Sequence, residues 1–192
     1  MSRPQARGTG LLELLVGTLL GLVVLGMLTT TVGTGARLLA TAAARGELED
    51  IAELAVEALA FDVRRAGYDP LRIGVAALAE AHTDRVGVRA DLDGDGVVDD
   101  TSEEAVAYVC NPSARRLSRI VGRQSLPLAN GATTCAFRYF DATGAALAVP
   151  VAGLAPAERA RVRSVALDLT LAAAGLHVPA TRTVRVALRV PG

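Results

Sequence analysis

The sequence contains few of the side chains on which enzyme active sites are usually built. Tryptophan is absent, and the only histidines, His82 and His177, have no serine or cysteine near them at a catalytic spacing. Walker loops, Rossmann fingerprints, Gly-x-Ser-x-Gly motifs and zinc signatures are also missing from the sequence. We therefore expect a protein that is not an enzyme.

An excess of charge of either sign is lacking as well. The chain has 20 basic and 20 acidic residues and a formal net charge of zero. Such a chain has no general basic field for nucleic acid, so we expect no direct nucleic-acid site. With 192 residues, of which 51% are hydrophobic, it can bury one sizeable core in addition to an anchor.

A long hydrophobic run lies near the amino terminus. Residues 14–32 form about 19 positions without a charge, or roughly 28 Å of helix, which is close to the thickness of the hydrocarbon layer. Residues 1–7 include Arg3 and Arg7 and no acid, so the positive-inside rule predicts a cytoplasmic amino terminus. No good signal-peptidase site follows the run. We expect a single-pass anchor in the inner membrane, with the remainder of the chain in the periplasm.

A single carboxylate, Glu13, lies at the start of this run. An ionised carboxylate inside a membrane is costly unless it is paired, and such residues are usually functional. A cationic amino terminus, of the same or a neighbouring chain, would be a suitable partner. The alternative is that Glu13 lies at the membrane interface and reaches water.

The sequence Arg7-Gly8-Thr9-Gly10-Leu11-Leu12-Glu13 resembles the amino terminus of type IV prepilins and of type II secretion pseudopilins. In that family a basic leader ends at a glycine, and a glutamate is the fifth residue of the mature chain. The resemblance implies that a prepilin peptidase cleaves after Gly8 and N-methylates Thr9, where the family usually has Phe. Gly10 is a competing cleavage point, but cleavage there would make Glu13 the third residue, so we favour Gly8.

A second helical pattern follows the hydrophobic run. Apolar residues recur at three- and four-residue steps through residues 48–66, with acidic residues between them, which indicates an amphipathic continuation of the first helix. Gly67 and Pro70 predict its end. Residues 62–68 also resemble the end of this helix in PilW-like minor pilins, which we interpret as helix packing and termination.

Most of the remaining chain alternates apolar and polar residues at a period of two, as half-buried strands do. The alternation is found at residues 106–110, 135–139, 165–171 and 184–190, and a further strand is predicted at 85–89. We predict an α+β, pilin-like fold in which a long N-terminal helix, its first half transmembrane, packs on an antiparallel β-sheet. The predicted domains are a leader peptide at 1–8, a transmembrane and assembly half-helix at 9–35, and a periplasmic globular domain at 36–192.

The chain has only two cysteines, Cys110 and Cys135, and both occupy inward-facing positions of predicted strands. In an oxidising periplasm we expect a disulfide, which closes a loop of about 26 residues. The alternative is two buried free thiols. No Cys-x-x-Cys motif points to redox catalysis.

Alternating aspartates followed by Gly96 reproduce the first half of a calcium-binding loop. Hard oxygen ligands at this density favour calcium over zinc or copper, so calcium is the expected cofactor. The predicted ligands are Asp91, Asp93, Asp95, Val97 through its backbone carbonyl, and Asp99.

The twelfth position of this loop is Ser102 instead of the usual glutamate. Glu103 and Glu104 follow directly and can substitute if the loop closes differently. An aspartate-rich turn without a metal is the alternative. Bound calcium would in either case stabilise the loop and take no part in catalysis.

The family resemblance implies a structural function. It describes a minor pilin or pseudopilin that primes or caps a type IV pilus, which serves twitching, adhesion or DNA uptake, or a type II secretion pseudopilus. The implied partners are other pilins, contacted through the N-terminal helix, the prepilin peptidase and the inner membrane. Two alternatives are an unprocessed single-pass membrane protein with an extracytoplasmic calcium-binding domain and a secreted enzyme with an uncleaved anchor.

Overall fold

A computed structural model describes residues 9–173 and 179–188, with the side chains of residues 9, 29–34, 36 and 37 excepted. The predicted leader with Gly8, His177 and the last residues of the predicted 184–190 strand lie outside the described residues. The described chain divides into two compact units, one that ends at Ala44 and one that begins at Arg45. Helix α1 (Thr9–Arg65) supplies the first unit and the beginning of the second.

Within the second unit, α1 has one buried stripe. Buried apolar side chains recur at the predicted three- and four-residue steps, and this stripe includes Leu48, Ala52, Ala55, Leu59 and Val63. The two alanines of this stripe, Ala52 and Ala55, are fully buried. The predicted amphipathic helix is therefore confirmed.

The helix ends at the predicted glycine. Gly67 has a φ of +74°, the left-handed conformation that commonly follows a helix. A Cβ atom at this position would lie 3.0 Å from the Cβ atom of Ala77, so both the conformation and the space favour glycine. The Gly67 N–H donates to the carbonyl of Arg89 at 2.8 Å, which joins the end of the helix to the sheet.

The described residues form two antiparallel sheets. The five-stranded sheet has the order β1-β2-β3-β4-β5 and the three-stranded sheet the order β6-β7-β8. The strands of the first sheet are β1 (Leu78–Ala81), β2 (Arg85–Arg89), β3 (Ala105–Asn111), β4 (Arg116–Val121) and β5 (Gln124–Asn130). Those of the second are β6 (Ala132–Phe140), β7 (Ser164–Leu171) and β8 (Ala180–Ala187), and a short helix, α2 (Pro156–Arg159), precedes β7. The α+β class is confirmed, whereas the expected single sheet is two.

The chain passes between the sheets at Gly131, the residue between β5 and β6. Its φ is +79°, and a Cβ atom there would lie 2.6 Å from the carbonyl oxygen of Ala172, so a larger residue would clash with backbone. Further on, the Phe137 N–H of β6 donates at 2.7 Å to the carbonyl of Thr83, which lies in the turn between β1 and β2. The Asn130-Gly131 pair is typical of a turn, but nothing in the sequence indicates that the next strand joins a different sheet.

The core contains three of the six aromatic side chains. Tyr108, Phe137 and Tyr139 are all buried, and the Tyr139 hydroxyl donates to the carbonyl of His82 at 2.8 Å. The predicted alternation of buried and less buried side chains is observed in β3 and in the second half of β7, whereas the first four residues of β7 are all buried. The sequence has no tryptophan, so the large aromatic groups of this core are Phe137 and tyrosines whose hydroxyl groups have a hydrogen-bond partner.

One carboxylate, that of Asp62, is buried in this core with only 2% of its surface exposed. It accepts hydrogen bonds from the Tyr108 hydroxyl at 2.6 Å and from Arg119 Nε at 2.7 Å. Arg65 Nη2 contacts the other oxygen at 2.5 Å. Burial, followed by the charge of Asp62, raises the pKa of Tyr108 well above its ordinary value, so the tyrosine stays a donor.

A disulfide joins Cys110 in β3 to Cys135 in β6, with 5.6 Å between the two Cα atoms. It therefore connects the five-stranded sheet to the three-stranded one. The predicted pairing is confirmed, and the alternative of two free thiols is wrong.

We expect the double variant Cys110→Ser/Cys135→Ser to lower the free energy of unfolding by about 3 to 4 kcal/mol, because the open chain regains conformational entropy. Urea unfolding of the full chain in detergent, followed by tyrosine absorbance, measures this loss. Reducing agent should lower the midpoint of the wild-type chain and leave that of the double variant unchanged. Equal urea midpoints for the wild-type chain without reducing agent and for the double variant would contradict this role of the disulfide.

Candidate functional site

The segment Gly10–Leu28 of α1 is the one helical stretch of the described residues that is long and apolar enough to cross a membrane. It contains 19 residues, and its side chains are exposed. In water such a run of exposed leucine and valine is unfavourable, so these side chains require a hydrophobic environment. By length and composition, the segment fits either a membrane span or a signal sequence.

Glu13 is the one charged residue of this segment, and its side chain is exposed. It forms no ion pair with any described residue of the chain. The nearby hydroxyl of Thr18, in contrast, donates to the carbonyls of Leu14 and Leu15 at 3.0 Å and is satisfied within the helix. The roles predicted for Gly8, Thr9 and Glu13 stay predictions.

The predicted calcium loop connects β2 to β3 and folds around two buried carboxylates. Asp91 is completely buried. Its Oδ1 accepts from the Gly94 N–H at 2.8 Å and its Oδ2 from the Gly96 N–H at 3.1 Å. Both glycines have a positive φ, which brings their N–H groups towards the aspartate at the start of the loop.

Glu104, which is 6% exposed, closes the loop from its other end. Its Oε1 accepts from the Leu92 N–H at 2.6 Å and the Asp93 N–H at 3.2 Å, and its Oε2 accepts from the Asp99 N–H at 2.9 Å. These bonds, above all that from Asp99, hold the pKa of Glu104 below its ordinary value. The carboxylate therefore stays charged at neutral pH.

Three carboxylates of the loop come together. Oxygen atoms of Asp91, Asp93 and Glu104 all lie within 4.8 Å of one another. Of the two glutamates that could replace the missing glutamate at the twelfth position, Glu104 is the one that lies beside Asp91 and Asp93. The sequence indicates this residue only weakly, because it lies beyond the usual position.

Asp95 and Asp99 are not part of this group. Asp95 Oδ1 accepts from the Val97 N–H at 2.7 Å, and Asp99 Oδ1 accepts from the Thr101 N–H at 2.8 Å. Hydrogen bonds from the Thr101 side chain and backbone lower the pKa of Asp99. These two aspartates shape turns on the exposed side of the loop, and a ligand role for them or for the Val97 carbonyl stays a prediction.

The triad of Asp91, Asp93 and Glu104 can hold a metal ion. No described basic residue forms an ion pair with any of the three. Two buried negative charges beside a third repel one another, and a cation would relieve that repulsion. The donors are all hard carboxylate oxygens, which fit calcium or magnesium and not a soft transition metal.

We expect Glu104→Ala to loosen the loop selectively. The amide hydrogens of Leu92, Asp93 and Asp99 lose their acceptor, and their exchange with deuterium should accelerate by roughly tenfold or more, as the loss of a charge-assisted hydrogen bond predicts. Hydrogen-exchange mass spectrometry of the full chain measures the rates. Asp100→Asn is the matched control: it removes an exposed carboxylate of the same loop that pairs with Arg89 and accepts from none of these amides, so it should leave their exchange unchanged. Equal acceleration in both variants would contradict the closing role of Glu104.

Comparison with protein-family models and with curated proteins finds no match to this chain. The apolar amino-terminal helix and the antiparallel sheets are compatible with a pilin-like fold.

Proposed function

We propose that this protein is a minor pilin or pseudopilin, a structural subunit that primes or caps a type IV pilus or a type II secretion pseudopilus. The observation that supports it is the composition of α1. One continuous helix, Thr9–Arg65, provides an exposed apolar span with a single carboxylate and then the buried stripe of an α+β unit. A cleaved signal sequence would have no reason to continue as core helix of the mature protein.

The amino-terminal residues give the proposal its mechanism. Cleavage after Gly8 by a prepilin peptidase would make Thr9 the new amino terminus, and its positive charge would lie close to Glu13 of the same or an adjacent subunit. Glu13 has no ion-pair partner among the described residues, and an ionised carboxylate in lipid requires one. Before assembly, the protein would be anchored in the inner membrane by its apolar segment, with the unit that begins at Arg45 in the periplasm. It would then be incorporated into the filament.

We expect Gly8→Ala to block maturation, and Glu13→Ala to permit cleavage but reduce incorporation into filaments by tenfold or more, since pairing a charge in lipid is worth about 1.4 kcal/mol or more. Intact mass and amino-terminal sequencing of the protein from its native membrane measure cleavage. Immunoblotting of sheared filaments measures incorporation.

Two matched variants control these experiments. Gly10→Ala adds a methyl group with nothing within 4 Å of it and should leave cleavage unchanged. Glu57→Ala removes an exposed acid from another part of α1 and should leave incorporation unchanged. A mature wild-type chain that begins at Met1 or Ser2 would instead favour the unprocessed membrane protein, and normal incorporation of Glu13→Ala would refute the role of Glu13.

We further propose that the triad of Asp91, Asp93 and Glu104 binds calcium, which would stabilise the loop outside the cytoplasm. Calcium accepts irregular sets of carboxylate and carbonyl oxygens, whereas magnesium demands near-octahedral geometry. Extracellular calcium modules bind with dissociation constants of about 0.1 to 1 mM. A calcium site outside the cell would therefore be filled without a lower dissociation constant than this.

We expect calcium at about one hundred times its dissociation constant to raise the free energy of unfolding by roughly 2.7 kcal/mol. Thermal unfolding of the full chain, after treatment with chelator and at increasing calcium, measures the effect, with magnesium in a parallel titration. Asp91→Asn should abolish the shift, and Asp100→Asn should retain it. An equal shift in both variants would assign the effect to surface charge and refute the site, while the filament proposal would be unaffected.

A further inference from the structure

A cavity of about 260 Å³ lies in the second unit, away from the acidic loop. Its lining comes from the segment before β1, from α2 and the residues after it, and from Leu188 beyond β8. The apolar part of the lining includes Val75, Leu78, Val162 and Leu188. Leu78 and Val162 are each only 3% exposed, so this part belongs to the rigid core.

Two arginines, Arg159 and Arg163, also line the cavity. Arg159 Nη1 donates to the Leu154 carbonyl at 3.1 Å, and Arg163 Nη1 donates to the Ala160 carbonyl at 2.7 Å and the Val162 carbonyl at 2.9 Å. These bonds use one nitrogen of each guanidinium and fix the two groups beside the cavity. Neither arginine forms an ion pair with a described acidic residue.

We propose that this cavity binds a small apolar carboxylate, with its hydrocarbon part against Val75, Leu78, Val162 and Leu188 and its carboxylate paired with Arg159 and Arg163. Planar guanidinium groups bind carboxylates with two parallel hydrogen bonds, which a compact ammonium group does not provide. The positive charges of these two lining arginines disfavour a cationic ligand, and a neutral ligand would leave both charges without an ion-pair partner. This inference is independent of the proposed filament and calcium functions.

The size of the cavity limits the ligand. Pockets for drug-sized molecules are typically about 300 to 1,000 Å³, so a cavity just below that range suits an acid with a short chain or one apolar side chain. Such a group can come from a lipid-derived acid or from the carboxyl terminus of a peptide. The two sources share the chemistry that the lining recognises.

The test uses the full chain in nanodiscs, with empty nanodiscs as the blank, and isothermal titration calorimetry. Hexanoate represents the lipid-derived acid and acetyl-Ala-Val the peptide terminus, and each is paired with its neutral amide. At least one carboxylate should bind roughly tenfold tighter than its amide, as one charge-assisted hydrogen bond predicts. The acid that binds more tightly identifies the source.

Variants locate the binding. Arg159→Gln/Arg163→Gln should remove the tenfold preference for the carboxylate, whereas Arg161→Gln, which removes an exposed charge that does not line the cavity, should retain it. Ala160→Leu adds bulk at an exposed position of the lining and should weaken the acid and its amide alike. Equal binding of acids and amides by the wild-type chain, or equal loss in Arg161→Gln and the double variant, would overturn the proposal.

Discussion

The buried carboxylate of Asp62 is the constraint on which the packing of the second unit depends. A charge with 2% exposure is very unfavourable unless it is paired, so Tyr108 of β3 and Arg119 of β4 must both face α1. A shift of either strand by one residue would turn these partners to the opposite face of the sheet. Apolar burial alone would be compatible with several rotations of an alanine-rich helix about its axis. The contacts of Asp62 with Tyr108 and Arg119 are compatible with only one rotation. We infer that Asp62 sets the rotation of the helix and the register of the strands together.

Arg119 extends this constraint to the acidic loop. Its guanidinium pairs with Glu103 as well as Asp62, and the bond to Arg119 is the main cause that lowers the pKa of Glu103. Glu103 is followed in the chain by Glu104, whose carboxylate accepts three backbone N–H groups of the loop. The end of the loop is thereby fixed to the core through Arg119. A cation site that includes Glu104 inherits the rigidity of the helix–sheet contact, which reduces the entropy lost on binding.

Local periodicity predicts those elements whose burial follows a simple repeat. The buried stripe of α1, the alternation of β3 and that of the second half of β7 are of this kind. Strand β1 has the sequence Leu-Ala-Glu-Ala, composed of good helix formers, and β5 is mostly exposed and contains Pro127, so neither shows a strand pattern. Periodicity does not identify the buried role of Arg119 either, because a charged residue in such a pattern is assigned to the solvent-facing side unless its partner is known. The contribution of Glu104 depends likewise on how the loop closes in three dimensions.

Two carboxylates of the same helix illustrate why the first unit points to a function beyond folding. Asp62 is buried and forms ion pairs with Arg65 and Arg119 of its own chain. Glu13 lies in an apolar segment and has no ion-pair partner among the described residues. An exposed carboxylate without an ion-pair partner is ordinarily stabilised by water. The apolar side chains around Glu13, however, require a hydrophobic environment. The two requirements are met together at a membrane interface, where water reaches the carboxylate, or beside a cation supplied by another helix. In the filament that we propose, the second solution would apply, because a processed amino terminus would be a cation that each added subunit brings with it.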